Sequence, residues 1–339
     1  SMDDYLQGVI VQEMSPSWPL EALKAQTVCA RSYAYGKLQA GKHQSQGFDL
    51  CNTTDCQAYV GIANASDNSR RAVEETSGVY LWYNGRVADQ TVYSSHNGGA
   101  SESAYYVWGT SMTDYPYLCG VKDPYEASVA DRNSYSSWTV TYSAQQLTTR
   151  LQSYGFGTNT SLDHLELTYS DLGNVIQVKL CYANGQSNTI TPRTKPRGIR
   201  ALFGLNSIRF TVNGQGADSA SSASSGTAGG QSTSQTGSGH PVNGSGSLSD
   251  LDGVYVISGG GTVAKAGENL YTITGSGATA AGHGYHALAP GGSYVFNGSG
   301  NGHQVGMSQF GANAMARQGF AYDDIVEFYF PGTHVGSYR

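Results

Sequence analysis

The sequence predicts an α+β fold, with mixed strands and helices in one main domain and a Gly/Ser-rich linker and small β insertion before the C-terminal segment. Three observations carry this. Residues 1–212 alternate strand-like apolar runs with helical periodicities. Residues 213–249 lose their aromatics and become Gly, Ser, Ala and Thr. Residues 291–339 turn apolar and aromatic again, too much so to stand outside a core.

Taken in order, "VIVQE" (9–13) reads as a buried strand that ends at Glu13. A helix is expected over 19–38, with Pro19 in its first turn and Ser17 as candidate cap. Further helices are expected over 67–77 and 143–153. "GVYLWYNGRVADQTVYSS" holds two strand-like runs about Asn84-Gly85, a hairpin signal, and "LELTYSDLGNVIQVKLCYANG" repeats the pattern about Gly173-Asn174. The 213–249 stretch cannot bury enough apolar surface to fix itself and reads as a flexible linker. Residues 250–290 are β-patterned, with "VYVIS" and "LYTIT". Two helices follow, near 307–318 and 322–328. Residues 1–212 and 291–339 are thus expected to form one catalytic domain, with 213–290 inserted.

Composition narrows the function. Charged residues make up only 13% of the chain, whereas Tyr contributes 24 residues. That balance suits a neutral, hydroxyl-rich ligand such as a glycan, since Tyr offers a flat apolar face and a hydroxyl. A Tyr-rich β surface without a ligand fits it equally. A net charge of −6 argues against a nucleic-acid partner. No apolar run is long enough to span a bilayer. The chain opens at Ser1-Met2 straight into patterned sequence, so membrane attachment is expected only through a segment outside it. Five cysteines (Cys29, Cys51, Cys56, Cys119, Cys181) are too few for a disulfide scaffold.

The chemistry gathers at the start. On the 19–38 helix Lys24, Arg31 and Tyr35 fall at the edge of the apolar stripe of Leu20, Leu23, Thr27, Ala30, Ala34 and Leu38. An inward cation needs a partner, and Glu13 is the nearest candidate carboxylate. Its apolar neighbours Val9, Ile10, Val11 and Met14 would raise its pKa, as a general acid needs, while Lys24, Arg31 and the helix N-terminus would lower it. A plain Glu–Arg ion pair is the competing reading. "YSSHNGGASESAYYVWG" (93–109) sets Ser95 and His96 before Gly98-Gly99, where a backbone can approach a ligand closely. Its spacing fits no nucleophile elbow. "GSGNGHQVGMSQFGA" (298–312) places His303 among glycines before a helix, a loop suited to an anion or a sugar acetamido group. "FDLCNTTDCQAY" (48–59) offers Cys51, Cys56, Asp55 and one upstream His43. Zinc there is disfavoured because the ligand set is thin; a short disulfide loop or two thiols are the alternatives.

Together "GVIVQEMSPSWPLEALKAQTVCARSYA" (8–34), "GFDLCNTTDCQAYVG" (47–61), "SSHNGGASES" (94–103), "YLCGVKDP" (117–124) and "GHQVGMSQFGANAMARQG" (302–319) resemble the SpoIID/LytB family. The resemblance covers about 1–212 and 290–339. It implies a lytic transglycosylase acting on peptidoglycan glycan strands stripped of stem peptides by a partner amidase. It puts the catalytic acid at Glu13 and matches Lys24, Arg31 and Tyr35 to positions associated with activity; these three, with Ser95, Gly98, Gly99, His303 and Gln309 of the two loops, make up the candidate substrate-binding set. No cofactor is required; some relatives bind zinc near the "CQ" segment, but Asp55 stands here where a His is common. In the C-terminal motif Asn301 replaces a Trp and Gln304 a Gly, which puts a stacking contact in doubt. The implied location is extracytoplasmic, at the wall or the outer face of a bacterial membrane. The alternative function is a non-catalytic, glycan-binding enhancer of a cell-wall amidase. A coat or surface protein is disfavoured, because the Gly/Ser stretch reads as a linker rather than a repeat.

Overall fold

A computed structural model describes residues 1–53, 55–157, 159–195, 197–214 and 292–338, and the backbone of five strands between 255 and 287. The first element corrects the sequence expectation. Residues Met2–Glu13 form a helix, α1, and not a strand. Val9, Ile10 and Val11 favour a strand when read alone. Upstream, however, the Ser1 hydroxyl accepts from the Asp4 N–H and the Asp4 side chain reaches back, a reciprocal cap that starts a helix. Leu6, Val9 and Ile10 then fall on one buried side. The chain leaves α1 through Met14 in extended conformation.

Helix α2 (Leu20–Ala40) is the centre of the molecule. Pro19 occupies its cap position without a side-chain bond, and Ser17 instead pairs with Ser15 through their hydroxyls, so the expected Ser17 cap does not form. Gly41, at φ 59, ends the helix in the left-handed conformation. Ala22, Leu23, Ala25, Val28, Cys29, Ala30 and Ala34 are all fully buried. A helix buried on nearly every side must be surrounded by others. Here the surroundings are α1, α3 (Asp67–Glu75), strand β1 (Val79–Tyr83) and two C-terminal helices described below.

The strands form several small sheets. β1 turns through Asn84 (φ 49) and Gly85 (φ 75) into β2 (Arg86–Val87), the backbone of a tight hairpin turn. β3 (Tyr93–Ser94) follows, then the short helix α4 (Ala104–Trp108). β4 (Trp138–Ser143) leads into α5 (Ala144–Ser153), which carries a capping box of Ser143 and Gln146. β5 (Leu162–Tyr169), β6 (Val175–Tyr182) and β7 (Ser187–Ile190) form an antiparallel meander, followed by α6 (Ile199–Phe203) and β8 (Phe210–Val212). The linker reading of 213–249 lies outside the described residues apart from Asn213 and Gly214. Beyond it "VYVIS" yields β9 (Tyr255–Ile257), paired with β10 (Val263–Lys265). "LYTIT" yields β11 (Leu270–Thr274), paired with β12 (Gly277–Ala281). β13 (His283–Ala287) pairs with β5.

The last segment is woven into the first. β14 (Ser293–Gly298) lies between β4 and β8, and β15 (Met307–Ser308) runs parallel to β3. Helices α7 (Gln309–Arg317) and α8 (Tyr322–Tyr329) pack on α2, and β16 (His334–Ser337) pairs with the free edge of β1. One apolar core therefore joins Leu23 and Val28 to Val305, Met307, Ile325 and Phe330.

Gln304 shows how tightly this weave is held. It sits at φ 62, a conformation that costs a side-chain residue about 1–2 kcal/mol. Its buried amide compensates: Oε1 accepts from the Ile208 N–H (2.8 Å) and Nε2 donates to the Asn97 carbonyl (2.8 Å). Glycine would adopt this positive φ without that cost.

Candidate functional site

Glu13, the last residue of α1, enters a cavity of about 300 Å³ lined also by Tyr33, Cys56, Gln57, Ala58, Val92, Tyr93 and His303. α2 contributes Tyr33, β3 contributes Tyr93, and the loop before β15 contributes His303. Glu13 is the one carboxylate among the described lining residues. Burial pushes its carboxyl above the usual range, and a hydrogen bond from Gln309 partly opposes that. Gln309 Nε2 lies 3.1 Å from Glu13 Oε2 and 3.5 Å from Gln26 Oε1. Gln309 is held at the first position of α7, whose cap Ser308 accepts from the Gly311 N–H (3.1 Å) and donates to Glu126 (2.6 Å).

The cavity wall is neutral. Gln57 donates to the Ala30 carbonyl (3.1 Å) and to the Tyr93 hydroxyl (3.4 Å), and accepts from the Tyr5 hydroxyl (3.1 Å). Burial, reinforced by the Glu13 charge, holds the Tyr93 hydroxyl well above its ordinary value, so it remains a phenol. His303 accepts from the Val305 N–H at Nδ1 (3.1 Å). Burial and the Arg200 charge bring its pKa down to about 4, so the imidazole is uncharged at neutral pH. Aromatic rings continue outward: Trp18 meets Phe310 edge-on at 4.7 Å, Phe310 stacks on His96 at 3.9 Å, and Trp108 lies 5.2 Å from His303.

The cations expected at Glu13 are elsewhere. Lys24 bridges Glu21 (2.9 Å) and Glu75 (2.6 Å). Arg31, only 1% exposed, pairs with Asp3 (2.7 Å) and donates to Thr76 and to the Val79 carbonyl. Tyr35 meets the Tyr338 hydroxyl at 3.4 Å and packs on Tyr80. The reason is helical phase. At 100° per residue Lys24, Arg31 and Tyr35 point about 140–180° away from Gln26, whereas Tyr33 lies within about 20° of it. Gln26 and Tyr33 face the cavity side, and the expected trio ties α2 to α1, α3, β1 and β16.

The loop residues divide. The Ser95 carbonyl accepts from the Phe310 N–H (3.1 Å) and so fixes the start of α7 beside Gln309. The Gly98-Gly99 backbone is not offered to a ligand: Gly98 N–H donates to Glu126 (3.1 Å) and Gly99 N–H to the Asn97 side chain (2.8 Å). A side chain at Gly98 would collide with Ser299, so the glycine serves close internal packing. His96 forms no serine-hydrolase relay among the described residues, where both its ring nitrogens are buried without a hydrogen-bond partner.

His43, Cys51, Asp55 and Cys56 gather beside the cavity with all donor atoms within 4.8 Å of one another. The sequence named these same four side chains as a thin set; the fold brings their donor atoms together. Gln46 holds His43 Nδ1 (2.9 Å), while Nε2 is buried, has no hydrogen-bond partner among the described residues and lies 3.6 Å from Asp55 Oδ2. That nitrogen and the mixed N, S and O donors fit zinc. Sequence reasoning missed Gln26, Tyr33, Gln57 and Tyr93. The signal for the first two was their own spacing, seven residues apart on one side of α2.

Residues 1–83 match the SpoIID family, described as Stage II sporulation protein. The "Amidase enhancer" of Bacillus subtilis (strain 168) is 34% identical over 338 residues, covering 98% of this chain and 40% of that one. An uncharacterised protein of Brachyspira hyodysenteriae (strain ATCC 49526 / WA1) is 32% identical over 194 residues, 53% of this chain and 51% of that one. "Stage II sporulation protein D" of Bacillus subtilis (strain 168) is 24% identical over 348 residues, 98% of this chain and 74% of that one. The chain thus spans about half or less of the length of the first two relatives.

Proposed function

Because the chain belongs to the SpoIID family, we propose that it is a lytic transglycosylase of peptidoglycan, with Glu13 as general acid and then base. The observation that supports this most is a single, half-buried carboxylate in a neutral, aromatic-flanked cavity. Hydrolysis of a glycosidic bond ordinarily uses two carboxylates, because water must be activated or a glycosyl ester formed. An internal nucleophile removes that need. In this reading Glu13 protonates the oxygen between MurNAc C1 and GlcNAc C4, and the bond to C1 breaks. The ionised Glu13 then takes the proton of the MurNAc C6 hydroxyl as that oxygen closes on C1, leaving 1,6-anhydro-MurNAc. Gln309 holds the carboxyl in position and steadies its ionised form. Tyr93 and His303, both uncharged, put no cation beside Glu13 to oppose the effect of burial on its carboxyl. Zinc held by His43, Cys51, Asp55 and Cys56 would be structural, fixing the loop that carries Gln57.

The substrate places the protein outside the cytoplasm, at the wall or the outer face of the membrane. No helix among the described residues is long and apolar enough to cross a membrane. The test is mass spectrometry of peptide-stripped glycan strands treated with wild type and Glu13→Gln; anhydro ends from wild type alone are the expected result. The name of the Bacillus "Amidase enhancer" favours a second reading, in which the chain binds glycan and stimulates an amidase without cleaving it. Strand binding without products from either protein would select that reading.

A further inference from the structure

We propose that His164, Glu166 and Cys181 form a second metal site, for a transition-metal cation of the zinc type, on the outer face of the β5–β6 hairpin. The sheet presents these side chains by alternation. Leu165, Leu167 and Tyr169 of β5 and Leu180 and Tyr182 of β6 are buried inward, so His164, Glu166 and Cys181 fall on the opposite face. His164 is directly paired with Cys181 across the strands, and Glu166 stands two residues along. Their donor atoms all lie within 4.8 Å of one another: His164 Nε2 is 3.5 Å and Cys181 Sγ 3.4 Å from Glu166 Oε1. Imidazole, thiolate and carboxylate together are the donor set of zinc.

A second feature aims the imidazole. The β5–β6 register slips between Leu162 and His164, which leaves Asp163 as the extra residue of a bulge. Bulges redirect side chains. Here the Asp163 carboxylate lies 2.8 Å from His164 Nδ1, and the Asp163 carbonyl is itself fixed by the Tyr294 hydroxyl (3.1 Å). A carboxylate on Nδ1 selects the tautomer whose Nε2 lone pair points to the cluster, the usual arrangement behind a metal-bound histidine. A competing cation is Lys179, whose ammonium donates to both Glu166 oxygens, Oε1 at 3.1 Å and Oε2 at 3.0 Å, with its side chain 38% exposed. A divalent ion displaces it, and the lysine has solvent to move into. β13 continues this sheet, with His286 in register with Glu166.

The test uses the whole chain, stripped with chelator and titrated with Zn²⁺, with bound metal counted by mass spectrometry and with Co²⁺ absorption as reporter of a thiolate ligand. Cys51→Ser/Cys56→Ser removes the cluster beside the Glu13 cavity. This variant is expected to retain one Zn²⁺ per chain, with a Co²⁺–thiolate band. Adding Cys181→Ser abolishes both, Asp163→Ala weakens binding about tenfold or more, and Lys179→Met tightens it. Should the double variant fail to fold, Cys181→Ser in the otherwise native chain lowers the bound metal by one. Zinc content unchanged by both His164→Ala and Cys181→Ser, or no Zn²⁺ retained by a folded Cys51→Ser/Cys56→Ser chain, overturns the proposal.

Discussion

Gln309→Met removes the amide that touches Glu13 and keeps a side chain of similar length. The bond, 3.1 Å from Nε2 to Oε2, has a carboxylate as acceptor, and such bonds contribute about 1.5–3 kcal/mol. It is stronger to the ionised than to the protonated form, so it favours loss of the proton, against the effect of burial. Glu13 is only half-buried, so the lower end of that range applies. At about 1.4 kcal/mol per pH unit, losing the bond raises the pH at which Glu13 ionises by about one unit. The first step needs the protonated acid. The alkaline limb of kcat for release of anhydro ends should therefore move up by about one pH unit. The assay is a pH profile of kcat at saturating strand concentration. A limb that stays in place, or moves to lower pH, refutes the assignment of Glu13 as the acid that Gln309 steadies.

Three other perturbations follow from the same contacts. Burial holds the Glu13 carboxyl above its ordinary value, so its stabilising contribution is complete below the unfolded value and is lost as pH rises through the folded one. Glu13→Gln should thus raise Tm at alkaline pH while abolishing cleavage, and thermal melts across pH should show the gain vanish in acid. Arg31→Met removes a guanidinium bound to Asp3, Thr76 and the Val79 carbonyl. It should cost about 3 kcal/mol in urea unfolding, with kcat of the folded fraction largely kept; full stability with kcat lost would place Arg31 in the chemistry instead. Gln304→Gly relieves about 1–2 kcal/mol of backbone strain but strands the Ile208 N–H and the Asn97 carbonyl, at about 1–3 kcal/mol each. The middle of these ranges gives a net loss of about 2–3 kcal/mol by denaturant titration, and a stabilised variant would contradict it.

What was legible in the sequence was local. The turn at Asn84-Gly85, the helix expected over 143–153, and the strands at "VYVIS" and "LYTIT" each rest on signals within a few residues. Glu13 was singled out by the motif around it, and its side chain enters a cavity. The run Val9-Ile10-Val11 was misread because its helical phase is set upstream by the Ser1 cap and Leu6. The Lys24–Arg31–Tyr35 stripe was misassigned because α2 is buried almost all round, and periodicity cannot say which buried face meets which neighbour. The Gly98 amide looked available because its acceptor, Glu126, is brought in by the fold from another segment. His43, Cys51, Asp55 and Cys56 were all named from the sequence, and the fold adds that their donor atoms converge.

The central claim is that one carboxylate suffices because the sugar supplies its own hydroxyl. Cleavage of stripped strands in heavy-oxygen water tests it most directly. The account predicts anhydro-MurNAc ends that contain no heavy oxygen, formed by wild type and absent with Glu13→Gln. Reducing ends that carry heavy oxygen at C1 would mean that water attacks, and would contradict it.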